Sequence, residues 1–123
     1  MTPIAPIELR VRALRWGVAL ALMTGLGPAP SAFAQDSAEI VVSVKDHKFD
    51  PAELAAPAGK PIVLRVKNLD PTPMEFESQS LRVEKVLTGN GEAIINIRPQ
   101  QAGRYDFFDD FHASTTKGVL VVK

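Results

Sequence analysis

The chain has 123 residues, 14 basic and 14 acidic side chains, and no cysteine. That length suits one small domain, and the balanced charge, with no basic run among aromatics, argues against nucleic acid. The absence of cysteine excludes disulfides, thiolate metal ligands and a lipoprotein anchor.

Taken in chain order, Arg10, Arg12 and Arg15 come first as a basic leader. Trp16 to Leu26 follows, apolar but too short for a membrane span. Gly27, Pro28 and Pro30 break it, and Ala32-Phe33-Ala34 has the small-x-small pattern of a signal-peptidase site. The expectation is a secretory signal over residues 1–34, cleaved before Gln35, and a periplasmic domain over 35–123 that is not membrane-embedded. An uncleaved N-terminal anchor is the alternative. Cleavage removes three of the 14 basic residues and one of the 14 acidic ones, leaving 11 against 13.

The remaining chain reads as β throughout. Ala38 to Val44 is a β-branched run, and His47 to Pro51 a turn or short edge segment, because proline cannot donate to a central ladder. Glu53 to Ala56 is a short extended piece stopped by Pro57-Ala58-Gly59. Pro61 to Asn68 alternates, with Ile62, Leu64 and Val66 opposite Val63, Arg65 and Lys67. Asn68 to Pro73 is a loop. Met74 to Ser78 is a strand with Glu75 and Glu77 on one face and Phe76 on the other. Leu81 to Leu87 alternates again, and Thr88-Gly89-Asn90-Gly91 is a turn. Glu92 to Arg98, Tyr105 to Phe108 and Lys117 to Val122 are the last strands. Short strands at regular spacing predict an antiparallel sandwich. Tyr105, soon after Gly103, fits a tyrosine corner, and Phe107, Phe108 and Phe111 fit a core or an apolar rim.

The segments Asn68 to Met74, Gly103 to Phe108 and Asp109 to Val122 resemble the cupredoxins, a likeness that covers nearly all of the mature region. More narrowly, Phe49-Asp50-Pro51-Ala52-Glu53-Leu54, Pro73-Met74-Glu75-Phe76-Glu77-Ser78, Glu84-Lys85-Val86 and Phe107-Phe108-Asp109-Asp110-Phe111-His112 resemble periplasmic proteins of bacterial iron uptake. These are the cupredoxin domain of the EfeO type and the small cupredoxin-like component of Ftr-type ferrous-iron transporters. The resemblance implies an all-β, cupredoxin-like Greek-key β-sandwich with a metal site at one end. It implies iron, Fe(II) or Fe(III), as what is bound. It also implies a membrane iron permease and a periplasmic iron-binding protein as partners.

The departures are informative. A blue-copper centre needs two histidines, a cysteine and usually an axial methionine. Asp109 stands where the cysteine is expected and His112 follows at a cupredoxin spacing. Thr116 takes the axial position, and Met74 takes that of the first histidine. A type 1 copper centre is therefore excluded. Carboxylate with imidazole suits iron, manganese, zinc or Cu(II) better than Cu(I).

The site expected is Asp109, Asp110 and His112 in the loop, met by Glu75 and Glu77 from a neighbouring strand. Met74 and His47 are weaker candidates. Taken alone, paired glutamates on a strand are an ordinary solvated face, and Asp109-Asp110 an ordinary turn. His47 reads as a surface histidine or part of a second metal site, and Met74 as core or ligand. Arg82, Lys85 and Arg104 either neutralise the acidic cluster or lie on solvated faces. Ser78 and Ser80 lack a neighbouring base, and no nucleophile elbow, phosphate loop or haem motif is present.

Three functions follow as expectations. The first is an iron-binding component of ferrous-iron uptake, with possible ferroxidase-like action. The second is a copper carrier or electron-transfer module without a type 1 centre, using Met74, His47 and His112. The third is a metal-free interaction domain.

Overall fold

The computed structural model describes Gly27 and residues 36–123. The expected signal segment and its cleavage point lie outside the described residues. Among the described residues, no helix is long and apolar enough to cross a membrane.

Among the described residues, nine strands and one helical turn follow in order. They are β1 (Ala38–Lys45), β2 (Lys48–Asp50), β3 (Glu53–Ala56), β4 (Ile62–Asn68), β5 (Met74–Ser78), β6 (Val83–Leu87), β7 (Glu92–Ile97) and β8 (Gly103–Asp109), then a 3-10 turn (Asp110–His112) and β9 (Lys117–Val122). They form two packed sheets, ordered β2-β1-β4-β7 and β3-β9-β8-β5-β6. The expected all-β sandwich is present, but its sheets are mixed rather than antiparallel. β1 runs parallel to β4, and β3 parallel to β9. Parallel neighbours need a crossover. Here β3 supplies it, leaving the first sheet after β2 and pairing in the second before the chain returns as β4.

Alternation decides which side chains face inward. Ile62, Leu64, Val66 and Asn68 do so from β4, and Met74, Phe76 and Ser78 from β5. β8 turns Phe107 and then Asp109 inward. At the centre, Phe107 stacks on Phe76 with centroids 5.0 Å apart and meets Phe49 edge-on at 4.8 Å. Such pairs add to the burial of their large apolar area. Met74 is only 1% exposed and belongs to this core. Its thioether therefore packs rather than faces solvent.

Two local readings change. The strand expected from Leu81 begins at Val83, because the Ser78 hydroxyl accepts the Leu81 N–H (3.3 Å) and donates to the Asp106 carbonyl (2.6 Å). Residues 79–82 therefore turn. The helical turn after Asp109 has no period long enough to be read from sequence. The tyrosine corner is present, with the Tyr105 hydroxyl donating to the Gln101 carbonyl at 2.8 Å.

Gly118 pairs with Phe107 across β8 and β9. A methyl group there would enter the Phe107 ring and lie 2.9 Å from the Ala52 carbonyl. Gly118→Ala is expected to destabilise the fold by about 1–3 kcal/mol through overpacking. Urea denaturation measures it, and an unchanged midpoint would show that the ring moves aside freely.

Candidate metal centre

The centre lies where β8 ends. Asp109 caps the 3-10 turn, its Oδ1 accepting the Phe111 N–H at 3.0 Å. The same oxygen accepts the Glu75 N–H from β5 at 2.9 Å. Oδ2 lies 2.7 Å from His112 Nδ1. The Asp109 side chain is 1% exposed and that of His112 31%. A buried carboxylate without partners would be costly, and these three donors satisfy it.

His47 arrives from the other sheet. Asp46 and His47 form a two-residue link between β1 and β2, with Lys45 opposite Lys48. Their φ values are 51° and 56°. Positive φ at both central positions is what a type I′ hairpin requires, and glycine or asparagine usually supplies it. A non-glycine residue there costs about 1–2 kcal/mol. Asp70 offsets this by accepting the Asp46 N–H at 2.7 Å and the His47 N–H at 3.0 Å. Asn68, buried beneath, holds the Asp70 loop by accepting the Asp70 N–H and donating to the Thr72 and Thr88 carbonyls. The effect is an imidazole held in place by a strained turn.

His47 and His112 meet ring to ring, with centroids 4.0 Å apart and planes tilted by 32°. Thr116 clasps the two segments. It is fully buried. Its hydroxyl donates to the His47 carbonyl at 2.6 Å, its N–H donates to the His112 carbonyl, and its own carbonyl accepts the Asp109 N–H. At the position of an axial ligand it therefore works as a structural tie.

The sequence-derived residues fall into two groups. Donor atoms of His47, Asp109 and His112 lie within 4.8 Å of one another, as do those of Glu75, Glu77 and Asp110. Glu75 and Glu77 face outward on β5, as alternation predicted, and Asp110 is exposed beside them. Only the backbone of Glu75 reaches Asp109. His47, a weaker candidate in the sequence, belongs to the more buried group. The signal for it was a two-residue hairpin link lacking glycine. The roles of Thr116 and Asp70 left no motif. Arg104 pairs with Glu53 at 3.6 Å, away from both groups.

In the first group, one hydrogen bond joins Asp109 Oδ2 and His112 Nδ1. Two donors each about 2.1 Å from one ion at a right angle lie about 3 Å apart. The 2.7 Å spacing is close to that, so a cation fits in place of the proton. Two imidazoles and a carboxylate form a borderline-to-hard set for a divalent ion. The second group has carboxylates alone. Glu75 has its pKa raised above the ordinary value of 4.5, first by partial burial, then by a hydrogen bond with Glu84 and the charges of Glu84, Asp110 and Glu77.

The cupredoxin-like domain model matches residues 17–122. The chain belongs to the cupredoxin-like domain family. It is 37% identical over 84 residues to the uncharacterized protein RP394 of Rickettsia prowazekii (strain Madrid E), a match covering 68% of this chain and 67% of that one. Among solved structures, auracyanin A, a "blue" copper protein of Chloroflexus aurantiacus, superposes with a TM-score of 0.61 at 16% identity, over 72% of this chain and 100% of its own. The metal-binding domain of the Cu(I)-exporting P-type ATPase CopA of Streptococcus pneumoniae D39 gives 0.62 at 17% identity, over 74% of this chain and 99% of its own. At such identities the likeness is one of fold. This cupredoxin-like domain has a carboxylate and two imidazoles at the mouth of the sandwich, with no thiolate.

Asp70 supports the His47 turn through its charge. The His47 N–H foremost, then the Asp46 N–H and the two imidazoles, hold its carboxyl below the ordinary 3.8, against the opposing pull of burial. A lowered carboxyl pKa stabilises the fold fully above the unfolded value and loses that contribution as pH falls through the folded one. Asp70→Ala is expected to cost about 1–3 kcal/mol at pH 7. The gap from wild type should narrow below about pH 3.8. Urea titrations at pH 7 and pH 3 read this, and an equal gap at both would remove the charge from the explanation.

Proposed function

We propose that this protein is the periplasmic cupredoxin-like component of a ferrous-iron uptake system, receiving Fe(II) at His47, Asp109 and His112 and favouring its oxidation before transport. The observation that carries the reading is the pairing of a buried carboxylate, in the place of a thiolate, with two imidazoles. Oxygen and nitrogen donors suit Fe(II), and an anionic oxygen donor stabilises Fe(III) relative to Fe(II). Iron is the cargo, and each ion oxidised passes one electron to dioxygen. A membrane permease and a periplasmic iron-binding protein as partners rest on the motif resemblance. Export rests on the basic-apolar-small pattern of the N-terminus.

A copper carrier without a type 1 centre is the second reading. It is favoured by the two imidazoles and by the tighter binding of Cu(II) than Fe(II) to a given nitrogen-oxygen site. The copper proteins among the structural neighbours lend it the fold. Met74, buried in the core, gives it less support than His47 and His112 do.

Anaerobic titration with Fe(II) and with Cu(II), followed by admission of oxygen, separates these readings. Iron binding with oxidation faster than in buffer supports the first. Copper binding alone supports the second, and binding of neither leaves a docking module on this frame.

Variants locate the site. His112→Ala and Asp109→Asn are expected to weaken Fe(II) binding at least about tenfold, as loss of a ligand or its orienting partner does. Glu75→Gln, in the outer group, should leave it within about threefold. Equal losses in all three would merge the two groups into one site.

His47→Gly tests the strained turn. Glycine adopts positive φ freely, so the thermal midpoint should hold while Fe(II) affinity falls about tenfold or more. Retained affinity would remove His47 from the ligand set.

A further inference from the structure

We propose that the cleft between the start of β6 and the end of β7 binds a small polycarboxylate anion. The inference is independent of the metal reading, because the cleft lies at the other end of the sandwich. His47 follows the C-terminal end of β1, whereas Ile97 of β7 pairs through Ile62 with the region of Ala38, at the start of β1. Likewise Leu87 pairs with Met74 near the metal end, whereas Val83 pairs with Ser78 at the far end of β5.

The cleft encloses about 440 Å³. Small-molecule sites run from roughly 300 to 1,000 Å³. Arg82, from the turn before β6, and Arg98, just after β7, both line it, together with Ser80 and Asn96. No carboxylate lines it. Among the described residues, Arg65 and Arg104 are paired with Glu92 and Glu53, whereas Arg82 and Arg98 make no ion pair. Two arginines that make no ion pair among the described residues thus line one space. The floor is apolar, formed by the buried Leu81 and Ile97.

The backbone supplies an independent observation. Arg82 is held at a φ of 56°. The turn that imposes this is fixed by the Ser78 hydroxyl and by the Arg82 N–H donating to the Gln79 carbonyl at 3.2 Å. Glycine would occupy this conformation freely, yet the position carries an arginine that lines the cleft. Strain of this kind concentrates at ligand clamps. Among the other lining residues, Gln100 Nε2 donates to the Arg98 carbonyl at 2.7 Å and steadies that segment.

The chemistry favours carboxylates. Each guanidinium is a planar fork that matches a carboxylate with two parallel hydrogen bonds. Two forks along one cleft suit a molecule with at least two carboxylates spaced along a short carbon frame. The cleft is far larger than inorganic phosphate and has room for a carbon frame carrying separate carboxylates.

Calorimetric titration of the full chain in metal-free, low-salt buffer tests this, with citrate as the probe and inorganic phosphate in parallel. Citrate is expected to bind, and Arg82→Gly and Arg98→Gln should each weaken it at least about tenfold. Arg82→Gly relieves the left-handed backbone, so its thermal midpoint should not fall and lost binding cannot be laid to unfolding. Arg104→Gln, a cation elsewhere, should leave the affinity within about twofold. The proposal is overturned if wild type does not bind citrate, or if both cleft variants bind it as wild type does. Equal weakening by Arg104→Gln, or phosphate bound as tightly as citrate, overturns it too.

Discussion

The mouth of this sandwich depends on one buried carboxylate. Asp109 fastens β5 through the Glu75 N–H, closes the 3-10 turn through the Phe111 N–H, and sets the His112 ring through Nδ1. A carboxylate out of reach of water is tolerable only when its lone pairs are met. Meeting them forces three segments to converge. Asp109 also continues the inward face of β8 two residues beyond Phe107, so the aromatic core leads directly into the polar centre. The packing that stabilises the sandwich and the geometry that arms its end are therefore the same strand.

Strain is spent at both ends of the molecule. Among the described residues, four non-glycine residues have positive φ: Asp46, His47, Arg82 and Asn90. Two of them have a side chain with clear chemistry, His47 at the candidate metal centre and Arg82 at the cleft. Each is held by a deeply buried polar side chain behind it, Asp70 in one case and Ser78 in the other. A rigid sheet frame can sustain such turns because its own hydrogen bonds and core are complete without them. The frame is general, and the two turns make it particular.

Much of this was legible in the sequence, and the reasons are local. Alternation in β4 and β5 placed Leu64, Val66 and Phe76 inward and Glu75 and Glu77 outward, because a period of two is fixed by the pleat. Asp109 and His112 were readable because they lie three residues apart in one loop. The parallel pairing of β1 with β4 was not readable, since it depends on a crossover between sheets that no local pattern records. Nor was the meeting of His47 with His112. A lone histidine in a short turn gives no sign of which distant loop it will face. The single acidic group expected from the sequence appears as two, because β5 turns the Glu75 side chain outward toward Glu77 and Asp110 and leaves only its backbone N–H to meet the Asp109 carboxylate.

The clasp made by Thr116 spans 69 positions of the chain, from its hydroxyl to the His47 carbonyl. His47 and His112 are nearly as far apart in sequence and in contact in space. An ion shared between them would act as a removable staple across most of the domain, in a chain that has no cysteine to make a permanent one. Closing a long loop restricts the unfolded ensemble more than closing a short one. The loaded protein would then be the harder to open, and giving up the ion would loosen the fold at the mouth.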